Sequence, residues 1–299
     1  MTEPSFDPQA VSATASQKWD RMTITDDPIF GAVMENQALC QELIQRALPE
    51  LTIAKLTTVE AQQTVTAGLD THGVRYDIYG QDAAGRVFEV EMQVLPQEDL
   101  ALRLRFYQAM IDEKLLHHRE RYGELAAHPT YVIFFCNFDY FGKGRARYQF
   151  ENRDIYDPAL PLGDHRHLVI FNATATSFDH AREIRSFLDL MQKNVDTNDE
   201  YITRLQAEIE RIKADSGRKG TYMKLELDFQ RQLAAKEQEG MDKGIEKGKK
   251  EGRSEGITAM ISLLTDQHKS KAEILATIAQ LFHLSVQEAE EAYQQALTS

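Results

Sequence analysis

At 299 residues, with 42% apolar and 27% charged positions, the chain reads as a folded core domain carrying a polar, helical extension. A net charge of −13 excludes a general polyanion-coating protein, but not a local basic groove, because association depends on where the basic residues lie. Two cysteines, Cys40 and Cys136, are too few for a disulfide framework and are expected as reduced, buried thiols. No apolar run approaches the roughly 20 residues of a membrane span. The opening "MTEPSFDPQA" has neither the basic nor the apolar stretch of a signal peptide, so a soluble, cytoplasmic protein is expected.

Residues 1–21 lack periodicity and read as a flexible arm. "TITDDPIFGAVMENQALCQELIQRALPEL" follows as one or two amphipathic helices, with Phe30, Val33 and Met34 on one face and Asp27-Pro28 as an N-cap followed by Pro. "LTIAKLTTVEAQQTV" has the β-branched content of a first strand. "GVRYDIYG" and "RVFEVEMQV" then alternate with period two about the turn residues "QDAAGR", a β-hairpin. Leu100, Leu104, Tyr107, Ile111 and Leu115 recur at helical spacing and predict a long helix from Glu98 to about Leu125. "TYVIFFCNF" (130–138) reads as a strand covered on both faces, "HLVIFNA" (167–173) as a shorter one, and "DHAREIRSFLDLMQKN" as a closing helix. A mixed sheet flanked by helices over 22–195 accounts for this order.

Beyond residue 195 the composition changes. Residues 196–239 form a charged helical segment with sparse apolar positions. Gly240, Gly244, Gly248, Gly252 and Gly256 recur every four residues between charged triplets, which fits either a linker or a closely packed helix and is too polar for a membrane pair. Residues 257–299 read as a small helical module, with Ser285 and Glu288 placed for a capping box and with homo-oligomerisation through this C-terminal region as one use.

The hairpin holds the candidate chemistry. Side chains alternate across a strand, so Asp77 shares a face with Arg75 and Tyr79, while Glu89, Glu91 and Gln93 share a face of the second arm. An antiparallel pairing brings Asp77 near Glu89 and Glu91. Such a line of carboxylates is either a solvated sheet face or a ligand set for a hard divalent cation. Arg103 and Tyr107, four apart on the long helix, either contact a phosphate or pack as structural residues. "GKGRARYQFENR" offers Lys143, Arg145 and Arg147 as DNA-backbone contacts, on a segment read as a loop.

Asp77, then Glu91-Met92-Gln93 fourteen residues on, then a helix with Arg103, Arg105 and Tyr107, resembles the PD-(D/E)XK nuclease superfamily. More narrowly the chain resembles the recombination-promoting nuclease/putative transposase family, which "TDDPIFGAVMEN" and the C-terminal glycine repeats also match. The resemblance implies a restriction-endonuclease-like α/β core with an α-helical C-terminal extension. It implies a Mg²⁺-dependent DNA endonuclease, with Mn²⁺ able to substitute, in which Asp77 and Glu91 bind metal and Gln93 stands where a Lys is usual. Glu35 then becomes a candidate for an accessory acid on the first helix, or is simply an exposed helix residue. Gln in place of Lys also leaves open a catalytically weak DNA-binding or oligomerising protein derived from a transposase.

Overall fold

The computed structural model describes residues 7–65, 74–116 and 119–298. Residues 1–6 of the expected arm, Gly73 at the start of the hairpin, and the side chains of 74–76 lie outside the described residues.

A six-stranded sheet in the order β1-β2-β3-β4-β6-β5 organises the first compact unit, Ser12–Lys224. Its strands are β1 (Leu56–Val65), β2 (Val74–Asp82), β3 (Val87–Gln93), β4 (Thr130–Cys136), β5 (Arg147–Phe150) and β6 (Arg166–Asn172). β1, β2 and β3 form an antiparallel meander, β3, β4 and β6 run parallel, and β5 closes the edge antiparallel to β6. The helices are α1 (Pro8–Arg21), α2 (Asp27–Met34), α3 (Gln37–Ala47), α4 (Leu100–Leu115), α5 (Arg185–Met191), α6 (Glu200–Ala214), α7 (Ser216–Asp266), α8 (Lys271–Phe282) and α9 (Val286–Thr298). This mixed sheet with flanking helices and a helical C-terminal region is the restriction-endonuclease-like architecture.

Every residue of β4 is buried, as its unbroken apolar run requires of a strand with parallel neighbours on both sides. Tyr131, Ile133 and Phe135 enter the larger core, beneath α2, α3, α5 and α6. Val132, Phe134 and Cys136 enter the smaller one, beneath α4. Cys40 and Cys136 are both free and buried, and burial pushes each thiol up to about 12.

The "QDAAGR" turn sets the hairpin's register. Asp82, 2% exposed, accepts the amides of Ala84 and Arg86, each at 3.0 Å, and the Arg86 guanidinium at 2.8 Å. Gly85 has φ +84°, and a Cβ there would stand 2.6 Å from the Ala127 carbonyl oxygen. Both the backbone conformation and the space therefore require glycine. Gln81 consequently faces Val87, and Ile78 faces Val90.

Several elements differ from the sequence reading. From Pro8 the expected flexible arm is helix α1, because Ala15 and Trp19 are buried and the indole donates to the Lys213 carbonyl at 3.0 Å. α2 starts at Asp27, with Asp26 rather than Asp27 at the cap position. α4 stops at Leu115, and a 3-10 turn at Tyr122–Ala127 leads into β4. The expected basic loop contains strand β5, too short for its alternation to register. α6, the first part of the charged segment, buries Tyr201, Ile202, Leu205, Ile209 and Ile212 in the main core, so the compact unit runs on to Lys224.

Helices from Leu225 onward belong to a second unit with its own core of Ile257, Ile261, Ile274, Ile278 and Ala289. The glycine repeat is helical, inside the 51-residue α7. A Cβ at Gly240, Gly244, Gly248 or Gly252 would meet nothing within 4 Å, whereas at Gly256 it would touch Phe282 at 3.5 Å. The capping box read at Ser285 and Glu288 is present, the Ser285 amide donating to Glu288 at 2.8 Å and the Glu288 amide to Ser285 at 3.3 Å.

Gly85→Ala should cost about 1–2 kcal/mol from the backbone alone, with the overlap at Ala127 adding to it; an unchanged urea midpoint would contradict the turn's role. Asp199 caps α6 and joins it to α3 through Arg46, at 2.6 and 3.0 Å. Partial burial alone would raise its carboxyl, but hydrogen bonds from Arg46, Ser186 and the Tyr201 amide outweigh that and hold it below 3.8. Its contribution is present above the unfolded value and lost as pH falls through the folded one. Asp199→Asn should therefore cost about 1.5–3 kcal/mol at pH 7, a difference that shrinks in unfolding curves recorded below pH 4.

Candidate active site

The site forms where β2 and β3 part. Their ladder ends at the pair Ile78 and Val90, so Asp77 and Glu91 come next, opposite one another. At that point side chains take over the cross-strand bonds. The Asp77 amide donates to Glu91 Oε1 at 2.8 Å, and the Met92 amide donates to Asp77 Oδ2 at 3.0 Å. Each carboxylate is thus aimed by the other residue's strand, and neither can turn away without breaking a main-chain hydrogen bond.

The polar face of β3 is not a solvated sheet face. Glu89, Glu91 and Gln93 are 0%, 2% and 6% exposed, on the side of the sheet covered by α4. Asp77, at the edge of this cluster, is half-buried. Burial, followed by the charge of Asp77, pushes the Glu91 carboxyl up to about 8. Burial and the neighbouring Glu91 raise Glu89 well above the ordinary carboxylate range. No described donor reaches either Glu89 oxygen. As the neutral acid, Glu89 gains a hydroxyl that can donate to the Glu91 carboxylate beside it.

α4 supplies the cation. Arg103 lies 3.9 Å from Glu91 Oε2. Its guanidinium donates to Gln93 Oε1 at 2.9 Å, to Gln97 Oε1, and to the Tyr107 hydroxyl at 2.8 Å. Tyr107 packs edge-on against Phe134, with ring centroids 5.7 Å apart, so the network is anchored in the core beneath α4. Gln93 donates in turn to Glu91 Oε2 at 3.3 Å. Asp77, Glu91, Gln93, Arg103 and Tyr107 therefore form one hydrogen-bonded group, with Glu89 buried beside Glu91 and coupled to it by charge.

Other sequence candidates are placed differently. Glu35 stands at the end of α2 and pairs with Arg218 at 2.7 Å, which gives it a structural partner. Arg147 is withdrawn from solvent: its side chain is 8% exposed and bonds Glu50 and the His180 carbonyl. Lys143 and Arg145 are exposed on the loop after β4. That loop begins beside the site, the Asn137 amide donating to the Gln93 carbonyl at 2.8 Å. Tyr140 ties it to the Glu98 carbonyl at 3.3 Å, and Asp139 accepts the Gly144 amide at 2.6 Å and the Tyr148 hydroxyl at 2.9 Å. Gln97, which steers Arg103, escaped the sequence reading because it lies in the irregular β3–α4 connection, outside either periodicity.

Among the described residues no group of three or more His, Cys, Asp or Glu is arranged to hold a metal ion. The oxygen donors of Asp77 and Glu91 still suit a small hard cation, which takes one or two carboxylates and completes its shell with water or phosphate.

Residues 28–154 match the family model of the PD-(D/E)XK nuclease family transposases, a segment that contains every residue of the group just described. No curated protein and no solved structure matches the chain.

A raised carboxyl means that the folded state holds more protons than the unfolded one above the ordinary value of 4.5, so Glu89 weakens the fold as pH rises. Glu89→Gln removes that loss while keeping shape and neutrality. In metal-free buffer the variant's melting temperature should gain on the parent from pH 5 to pH 9; parallel curves would show that Glu89 is not held as the acid.

Proposed function

Proceeding from the match of residues 28–154 to nuclease-family transposases, we propose that the protein is a divalent-metal-dependent DNA endonuclease that hydrolyses phosphodiester bonds. The observation that carries this reading is the reciprocal bonding of Asp77 and Glu91 where β2 and β3 part. It presents two buried-edge carboxylates in fixed orientation, which is how a rigid scaffold prepares a hard-cation site.

Asp77 and Glu91 are the residues that would hold Mg²⁺, or Mn²⁺ in its place. When bound, such an ion lowers the pKa of a water and stabilises charge developing on a phosphoryl group. The chain's own residues do the positioning. Main-chain amides on the opposite strand keep the two carboxylates facing the gap, and α4 excludes bulk water from Glu89 and Glu91. Gln93 offers a neutral amide beside Glu91, where it can orient a water without adding charge. Lys143 and Arg145, exposed on the loop that starts next to Gln93, suit contacts to the phosphates of DNA.

Self-association through the C-terminal helices accompanies this reading, in a cytoplasmic protein. Leu225, Phe229, Leu233, Met241 and Ile245 are all exposed and lie four or eight residues apart along α7, the last two beside the open Gly240 and Gly244. Such a row and groove suit packing of one helix against another.

Purified protein should nick supercoiled plasmid with Mg²⁺ or Mn²⁺ and not with EDTA. Asp77→Ala and Glu91→Ala should each abolish nicking while the far-ultraviolet circular dichroism stays that of the parent. Undiminished cutting by both variants would sink the assignment.

A further inference from the structure

Gln93 sits between two groups of opposite character. On one side is Arg103, which can only donate hydrogen bonds; on the other is the Glu91 carboxyl, whose Oε2 accepts the bond from Gln93. A primary amide satisfies both at once, its oxygen 2.9 Å from Arg103 Nη1 and its nitrogen 3.3 Å from Glu91 Oε2. No charged side chain could do the same. An ammonium at this position would face the Arg103 guanidinium, and a carboxylate would face Glu91.

Arg103 is held as firmly from its own side. Gln97 and the Tyr107 hydroxyl accept two more of its donors, and the guanidinium lies over the Tyr107 ring at 5.4 Å. It is thus committed to the carboxylate group rather than left to swing toward a passing phosphate, the alternative open from sequence alone. The positive charge that a strand Lys would bring to Glu91 is already present, entering from the helix at 3.9 Å.

We propose that Gln93 and Arg103 form one divided unit in place of a strand lysine: Gln93 supplies the hydrogen-bond donor, and Arg103 supplies the charge and orients Gln93. The inference rests on the nuclease reading. Arg103 is a positioning residue that acts through Gln93, and the departure from Lys at 93 follows from the presence of Arg at 103 instead of marking a lost activity. Restoring Lys at 93 is therefore harmful while Arg103 remains, and tolerated once the cation on the helix is removed.

The test is a charge swap in the full chain. Gln93→Lys and Arg103→Gln should each lower Mn²⁺-dependent plasmid nicking by about 10–100-fold, the usual effect of losing a group that orients a metal-binding residue. The double variant moves the cation from helix to strand and should recover most of that loss. Thermal unfolding in EDTA gives a readout independent of activity: the double variant should be less destabilised than the sum of the two single changes. Gln93→Lys as active as the parent, or a double variant no better than the worse single one, would overturn the pairing. Additive melting shifts would overturn it as well. If the parent itself does not nick DNA while the melts remain non-additive, the nuclease reading falls and the pairing stands.

Discussion

The site depends on one register. In a strand pair a slip of one residue turns every side chain to the opposite face. Here the slip would carry Glu89 and Glu91 out from beneath α4 and drive Phe88 and Val90 out of the main core. The turn that prevents it is small: Asp82 holds the amides of Ala84 and Arg86, and Gly85 takes a backbone conformation and a space that other residues cannot. From that closed end the ladder runs to Ile78 and Val90, and its end places Asp77 opposite Glu91. The same parting of the strands frees the two carboxylates to exchange main-chain hydrogen bonds.

Covering this face with α4 changes its chemistry. Three acidic side chains within one group would repel one another in water only weakly, but burial removes the screening and makes their charges expensive. The structure answers in two ways. Glu89 and Glu91 are pushed toward their neutral forms, and a single guanidinium from the helix faces the cluster. Gln93 connects these solutions because it can accept from Arg103 while donating to Glu91. Its neutrality, which in isolation suggests a weakened enzyme, is what its neighbours require.

The C-terminal half is built on a different principle. α6 belongs to the main core through five buried side chains, and Asp199 fastens it to Arg46 of α3. Further on, α7 has almost nothing to bury over most of its length, only Ile257 and Ile261 being buried on it. Its glycines cost about 1 kcal/mol each relative to alanine in a helix. Five of them, Gly220, Gly240, Gly244, Gly248 and Gly252, would meet no other group through a Cβ, so within one chain that cost goes without a packing return.

Strong, sustained patterns were legible in the sequence. The apolar run of β4, the two-residue alternation of the hairpin and the helical recurrence from Leu100 to Ile111 all specify their elements, because each reports burial of a whole face. The C-terminal capping box was equally readable, since its two partners are three residues apart. β5 and α1 were not, the first being four residues long and the second resting on Trp19 and Ala15, whose partners lie far along the chain. Sequence by itself determined which residue types the site contains and on which strand face they fall, because alternation is a local property of the backbone. Whether that face is wet or buried, which oxygen meets which amide, and that Arg103 answers Gln93 while Arg147 answers Glu50, were decided only by tertiary structure. Those facts depend on α4 crossing the sheet and on contacts between segments that no local spacing encodes.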